Sequence, residues 1–432
     1  MNFLRNSVSL SSMSLALSLS LGLAVTQIVW AQEADSIEKK QVATESKEPL
    51  SITELRTFVE VMEKVKNEYV EDVTDQNLLE NAIKGMLSNL DPHSSFYGKE
   101  EFEGLTESTT GEFAGLGVEI TNEDGLLRII SPIDDSPAAK AGIKAGDLII
   151  RINETAIQSV SSEDAIKMLR GEPGTEVMLT IIREGAAKPL KISILRDIIK
   201  TKSVRSEMLE PGFGYIRLSQ FQERAGEEMI NHINDLIKNY QASIKMATKD
   251  NYKDKATDKS INANATLSET TQNQNPASAH PLKGLILDLR NNPGGLVNQA
   301  VAISDLFLEG GLVVYTQGRD ASTRSNSMAG PGDILNGAPL IVLINSGSAS
   351  ASEIVAGALK DNNRALIIGE RSFGKGSVQV VIPLNDGRGL KFTTARYYTP
   401  SGKSIQAEGI VPDIAIEDFD IKNKKILTYG TF

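Results

Sequence analysis

The chain has 432 residues, of which 40% are hydrophobic and 23% charged, and carries a formal net charge of −11 at neutral pH. That length supplies two or three cores, and three domains fit it. The acidic balance and the lack of a large Lys/Arg block exclude a nucleic-acid surface, and the absence of cysteine excludes a disulfide framework, so the fold is held by its core.

Residues 1–31 read as a signal peptide: Arg5 is the single charge, a Ser/Leu/Ala-rich apolar run follows, and Val29-Trp30-Ala31 suits signal peptidase. Export, to the periplasm, is the expectation. An uncleaved signal is the alternative that would put the protein on a membrane, but the many serines make this run a poor spanning helix. Residues 32–97 form a flexible, charged lead and then a helical region. Leu55, Phe58, Val59, Met62, Val65 and Tyr69 recur at three- and four-residue spacing, followed by Leu78, Ala82, Ile83, Met86 and Leu87, which predicts a helical hairpin. His93, in Leu90-Asp91-Pro92-His93-Ser94, is read as structural.

Residues 98–196 form a separate unit. Ala114-Gly115-Leu116-Gly117-Val118-Glu119-Ile120 resembles the carboxylate-binding loop of PDZ domains, and Ser136-Pro137-Ala138 through Ala145-Gly146-Asp147-Leu148 to Asn153 resembles the strand–turn core of that fold. The resemblance implies strand addition: a peptide C-terminus pairs beside the loop while N–H groups of Leu116, Gly117 and Val118 hold its carboxylate. Ser162 to Leu169 reads as the helical wall of the groove.

From 197 to about 425 the pattern is α/β. Strands are expected near Phe213–Leu218, Leu285–Leu289, Leu340–Ile344 and Leu366–Ile368, with helices over Ala225–Tyr240, Leu296–Leu308 and Ala349–Leu359. Residues 241–280, rich in Lys, Asp, Asn, Thr and Ala and poor in aromatics, read as a disordered surface insertion. The strand at Leu285 runs into Arg290-Asn291-Asn292-Pro293-Gly294-Gly295, a turn whose glycines let another chain come close.

Asn345-Ser346-Gly347-Ser348-Ala349-Ser350-Ala351-Ser352-Glu353 falls between a strand and a helix, where the helix's first N–H groups are unpaired and a hydroxyl lies beside donors suited to a developing oxyanion. Ser348, Ser350 and Ser352 are rival nucleophiles on the residues alone. The three histidines, His93, His232 and His280, lie in no motif with these serines, so a Ser-His-Asp triad lacks a supplier. Lys375, in Phe373-Gly374-Lys375-Gly376-Ser377-Val378-Gln379, sits among Phe373, Val378, Val380 and Val381, and burial there would lower its pKa toward that of a base. Gln379 lies two strand repeats farther on the same face, within reach of the lysine amine. Asp361 falls too far along the helix from the serines for a relay at about 1.5 Å rise per residue, and Glu353 is read as a first-turn carboxylate favoured by the helix dipole.

These motifs, over about residues 50–420, resemble the carboxyl-terminal processing peptidases, PDZ-containing serine–lysine endopeptidases of the S41 type. The resemblance singles out Ser350 as nucleophile, with Lys375 following at the family's interval of 25 residues. It also implies Gln379 as third catalytic residue, an oxyanion hole from the Ala351 N–H with Gly294 or Gly295, and a peptidase domain of crotonase-like, ClpP-like β–α superhelical type. Expected partners are protein or peptide substrates with free, apolar C-termini, and the N-terminal helices are expected to mediate a homodimer. No metal or cofactor is expected, because no ligand cluster is present. The rival readings are a non-catalytic PDZ adaptor that binds C-termini without cutting and a hydrolase of small esters.

Overall fold

The computed structural model describes residues 51–123, 125–257 and 281–416; the segment read as a signal peptide lies outside them. The chain divides into two compact units, one ending at Ala82 and one beginning at Ile83. The first holds α1 (Ile52–Glu68) and the start of α2 (Asp75–Ser88). Ser51 Oγ accepts the Glu54 N–H and so caps α1 at its N-terminus. Lys66 and Asp75 form an ion pair at 2.7 Å across the connection. No residue of α1 is buried, so the apolar stripe of Leu55, Phe58, Val59 and Val65 faces solvent.

The second unit opens with β1 (Ser95–Tyr97), α3 (Lys99–Thr110) and β2 (Glu112–Gly115). An antiparallel sheet follows: β3 (Val118–Glu123), β4 (Leu126–Pro132), β5 (Leu148–Ile152), β6 (Thr155–Ala156), β7 (Glu176–Ile182) and β8 (Leu190–Leu195), in the order β3-β4-β5-β7-β8 with β6 on β5. The short α4 (Pro137–Lys140) and α5 (Ser162–Leu169) belong to it, and its own core holds Leu127, Ile129, Ile149, Ile152, Val177, Leu179 and Ile181. Alternation drives this layer: in β7 the buried residues are Val177, Leu179 and Ile181, one face of the pleat, with Thr180 between them. Asp147, 1% exposed, is held by the Arg183 guanidinium at 2.7 Å. β9 (Asp197–Lys200) returns to pair with β2, closing the module's entry and exit into a stem.

The remainder is an α/β domain. β10 (Val204–Glu210) and β11 (Phe213–Leu218) lead into α6 (Ala225–Thr257); then come β12 (Gly284–Asp288), α7 (Val297–Asp305), β13 (Gly311–Gly318), β14 (Ser325–Ala329), β15 (Leu340–Ile344), α8 (Ala351–Asp361), β16 (Leu366–Gly369), β17 (Ser377–Pro383), β18 (Gly389–Tyr398) and β19 (Ile414–Ala415). One sheet runs β10-β11-β12-β15-β16-β19, parallel from β11 onward. Its central strands, Gly-Leu-Ile-Leu-Asp and Leu-Ile-Val-Leu-Ile, are unbroken apolar runs, as strands covered on both faces must be. A second sheet runs β1-β18-β13-β14 with β17 on the other edge of β18. The parallel register pairs Asp288 with Leu343. The loops that leave the carboxyl ends of β12 and β15 are therefore neighbours, the place where open α/β sheets gather ligands.

One expectation is corrected. Residues 241–257, read as the start of a disordered insertion, continue α6 to Thr257, because Ala242, Lys245, Met246 and Ala247 are good helix formers that extend a helix already nucleated on the core. Residues 258–280 lie outside the described residues.

Candidate active site

β15 delivers the chain into a tight turn that ends at Ser350, the N-cap of α8. Ser350 sits at φ 56°, ψ −111°, a conformation that costs a side-chain-bearing residue roughly 1–3 kcal/mol. The surrounding hydrogen bonds hold it there. Of the three serines, Ser348 donates to Leu289 O at 2.8 Å and accepts the Asn345 N–H at 3.0 Å, and Ser352 donates to Asn292 O at 2.9 Å. Both are fully buried and tie the serine turn to the β12 loop. The Ser350 hydroxyl has no hydrogen-bond partner among the described residues and stays partly accessible. Three rivals in the sequence thus become one free hydroxyl and two structural ones.

Glu353 does more than greet the helix dipole. It is fully buried, and its Oε2 accepts the N–H of Ser350 at 2.7 Å and of Lys375 at 2.9 Å, while Oε1 accepts Ser372 Oγ at 2.6 Å and the Gly374 N–H at 2.7 Å. One carboxylate oxygen therefore joins the backbone of the serine turn to the backbone of the lysine loop. Four donors converge on it, two at each oxygen.

The loop after β12 approaches from the other side. Asn292, fully buried, donates through Nδ2 to Leu218 O and accepts the Gly294 N–H at 2.9 Å, and its carbonyl receives the Ala349 N–H at 3.0 Å. Gly294 has φ 103°, and a Cβ there would lie 2.8 Å from Ser350 Cβ and 3.0 Å from Ala351 N. Only glycine fits that approach. Its N–H is occupied by Asn292, whereas the exposed Gly295 carries an N–H without an acceptor among the described residues, as does Ala351 at the first turn of α8. Between the two expected glycines, then, Gly295 has the available donor. Under the turn, Asp288 is fully buried and receives Tyr215 Oη at 2.6 Å, Arg290 Nη2 at 2.7 Å and Arg217 Nη1 at 3.1 Å. Burial pushes Asp288 up, but hydrogen bonds from Arg290 and Tyr215 prevail and hold it below the usual carboxylate range.

Lys375 is half-buried, and its amine makes no hydrogen bond or ion pair among the described residues. Burial pushes its pKa down, the Lys391 cation pushes it further, and Glu353 opposes them. Gln379, at the start of β17, donates its amide N–H to Ser377 Oγ at 3.2 Å, while its Oε1 has no donor among the described residues. His93, read as structural, lies in the electrostatic reach of this lysine: burial first, then the Lys375 charge, lowers its pKa, against the pull of Asp91. No spacing rule links positions 93 and 375, which lie far apart in sequence; the strands that follow them, β1 and β17, both pair with β18. Asp361 ends α8 and accepts the Ser401 N–H at 2.9 Å, so it braces a turn and stands apart from the serine.

In the antiparallel module, Gly117 takes φ 76°, its carbonyl accepts Ser136 Oγ at 3.0 Å, and a Cβ there would strike Ser136 Cβ at 2.4 Å. The N–H groups of Leu116 and Gly117 have no acceptor among the described residues. Val118 begins β3, and a bond between Asn122 and Ser162 fixes the far end of that strand to the start of α5. The loop thus offers free donors at the start of β3, whose Val118 and Ile120 pack against the module's core, while α5 presents Ile166, 38% exposed.

Comparison with known proteins gives three family matches along the chain. Residues 257–416 match the peptidase family S41 model, residues 114–194 a PDZ domain, and residues 17–101 the N-terminal domain of the activating protease CtpB. The chain is 45% identical over 384 residues to the carboxy-terminal-processing protease of Bartonella bacilliformis, covering 89% of this chain and 80% of that one. It is 33% identical over 357 residues to the carboxy-terminal processing protease CtpA of Bacillus subtilis, covering 82% and 67%. Among solved structures, a photosystem II D1 C-terminal processing protease matches at 28% identity and a TM-score of 0.44, over 85% of this chain and 94% of that one.

The four-donor arrangement makes Glu353→Gln a sharp test. An amide can accept through one atom only, so two of the buried donors lose their partner; the expected loss is about 1–3 kcal/mol in urea unfolding, together with slower peptide cleavage. Parent-like stability and rate would show that the carboxylate does not hold the two loops.

Proposed function

This chain belongs to peptidase family S41, the carboxy-terminal processing proteases, and from that premise we propose that it cleaves polypeptides with Ser350 as nucleophile and Lys375 as general base. The carrying observation is the separation of the three serines: Ser350 alone has a free hydroxyl, on a strained turn that Glu353 joins to a lysine whose pKa burial lowers. The neutral Lys375 amine takes the proton of Ser350 Oγ as Oγ bonds to the scissile carbonyl carbon. Negative charge on the carbonyl oxygen falls to the N–H groups of Ala351 and Gly295. The resulting ammonium gives its proton to the departing amine, the C–N bond breaks, and water then opens the acyl-enzyme by the same base. In this reading Gln379 Oε1, which lacks a donor among the described residues, accepts from the amine and orients it.

The PDZ domain supplies recognition. In our reading the loop Leu116–Val118 holds the terminal carboxylate of an apolar C-terminus, which pairs along β3. We further propose export, from the character of residues 1–31, and a homodimer through α1, whose apolar stripe is unburied. A non-catalytic adaptor would leave the strain at Ser350 and the desolvated lysine without purpose.

Ser350→Ala and Lys375→Ala are each expected to lower kcat/KM by at least about a thousandfold with unchanged unfolding midpoints. Ser348→Ala and Ser352→Ala should keep measurable cleavage and lose about 1–3 kcal/mol of stability from a broken buried hydrogen bond. Mass-spectrometric mapping of cut peptides decides: an active Ser350→Ala would overturn the assignment.

The pH profile tests the base. The active form is the neutral amine, and a lowered pKa makes that form abundant at lower pH, so kcat/KM should rise with pH through a value below that of an ordinary lysine and then level off. Lys375→Arg should be inactive throughout, because guanidinium stays charged. A flat parent profile with an active Arg variant would show that Lys375 is not the base.

Substrates with an amidated C-terminus should be cleaved with kcat/KM lowered about tenfold or more, since the loop donors lose a charged acceptor. Equal turnover of acid and amide would remove the recognition claim.

A further inference from the structure

β17 follows the lysine loop directly and among the described residues pairs with β18 alone, which leaves its outer edge open there. The hydrogen-bonding sense of that edge follows from the ladder. Lys391 pairs with Ser95 of β1 and with Val381 of β17, so β1 and β17 lie on opposite edges of β18. The Thr393 N–H donates to Ser94 Oγ at 3.3 Å, toward β1. Thr393 and Lys391, two residues apart, thus turn their backbone groups away from β17, and their partners Gln379 and Val381 turn theirs away from β18. The N–H and C=O groups of Gln379 and Val381 point outward at the open edge, and none has a partner among the described residues. The side chains are as unusual as the backbone. Val380, Val381 and Ile382 are 39%, 45% and 38% exposed, and Phe373 before the lysine is 62% exposed. Edge strands are normally blunted by charge, and here Ser377 to Ile382 carry none; the protections are a bulge at Val378/Gln379 and the terminal Pro383.

We propose that the outer edge of β17 is the docking strand for the scissile stretch of the substrate, which adds to the sheet as an extended, apolar polypeptide paired with Gln379 and Val381. This rests on the peptidase reading and deepens it. The strand grows out of the loop that Glu353 fastens to Ser350, so a chain paired with Gln379 is led past the nucleophile in the extended form that exposes its carbonyls. Recognition by backbone makes the cut tolerant of sequence, while the exposed valines and isoleucine favour apolar segments. Selection by the C-terminal carboxylate then resides in the PDZ domain and pairing at the cut resides in β17.

The test reads binding, so that it does not depend on turnover. Full-length Ser350→Ala protein is titrated with a fluorescent ten-residue apolar peptide, C-terminally amidated to bypass the PDZ loop, and with versions bearing one N-methyl amide each. Strand addition predicts weaker binding, by about tenfold or more, at alternate positions only. Val381→Pro in the same background should weaken the parent peptide about tenfold or more, because proline removes an outward donor that the β17–β18 ladder does not use. Uniform losses, no losses, or a Val381→Pro that binds as before overturns the proposal. So does a Val381→Pro that changes self-association in sedimentation but not peptide binding, which assigns the edge to a second copy. An alternate pattern in binding with no cleavage by the wild-type chain would retain the docking strand and count against the catalytic assignment alone.

Discussion

A carboxylate with no solvent contact must be fully answered by donors, and at Glu353 the answer comes from two separate loops. This one residue converts a helix start and a Gly-rich loop, 21 residues or more apart in sequence, into a single site. Leaving a buried charge unpaired costs several kcal/mol. The backbone of Ser350 and that of Lys375 are therefore held together for a structural reason that operates before any substrate arrives. Strain at Ser350 is tolerated because Glu353 on one side and the bonds of Ser348 and Ser352 on the other over-determine the turn.

The same logic extends to the third loop. Asn292 spends its side chain on Leu218 O and the Gly294 N–H, and its carbonyl on Ala349 and Ser352. Gly294 meets the serine too closely for any side chain, and by giving its own N–H to Asn292 it leaves the next amide as the donor facing outward. The Asp288 cluster anchors this loop to the end of β12 with two guanidinium groups and a phenol. Around this turn the Ser350 hydroxyl, the Lys375 amine, the N–H groups of Ala351 and Gly295 and the Gln379 Oε1 are left without a partner among the described residues.

Division of labour follows from two separate cores. The antiparallel module has its own apolar centre and enters and leaves through the β2–β9 stem, so it can recognise a chain end without sharing packing with the nucleophile. The α/β domain contributes rigid strand ends. The two therefore pack as separate bodies of core within one chain.

Much of this was legible in the residues. The apolar runs at 285–289 and 340–344 read as strands, and Gly294-Gly295 as a turn that lets another chain come close. The family pattern pointed to Ser350, Lys375 and Gln379, and to the PDZ loop at 116–118. Other features were hidden for a physical reason: they are long-range. Nothing near Glu353 in sequence distinguishes a carboxylate that greets a helix dipole from one that clamps a loop more than twenty residues away. Nothing near His93 tells of Lys375, and the composition of 241–257 did not reveal that a core-nucleated helix would run through it. Local periodicity and turn chemistry are written in neighbouring residues and survive in the sequence alone. Which serine hydroxyl stays free, which glycine keeps its N–H, how far the lysine is desolvated and which strand edge is left open are properties of groups brought together only when the sheets close, and the tertiary structure decided them.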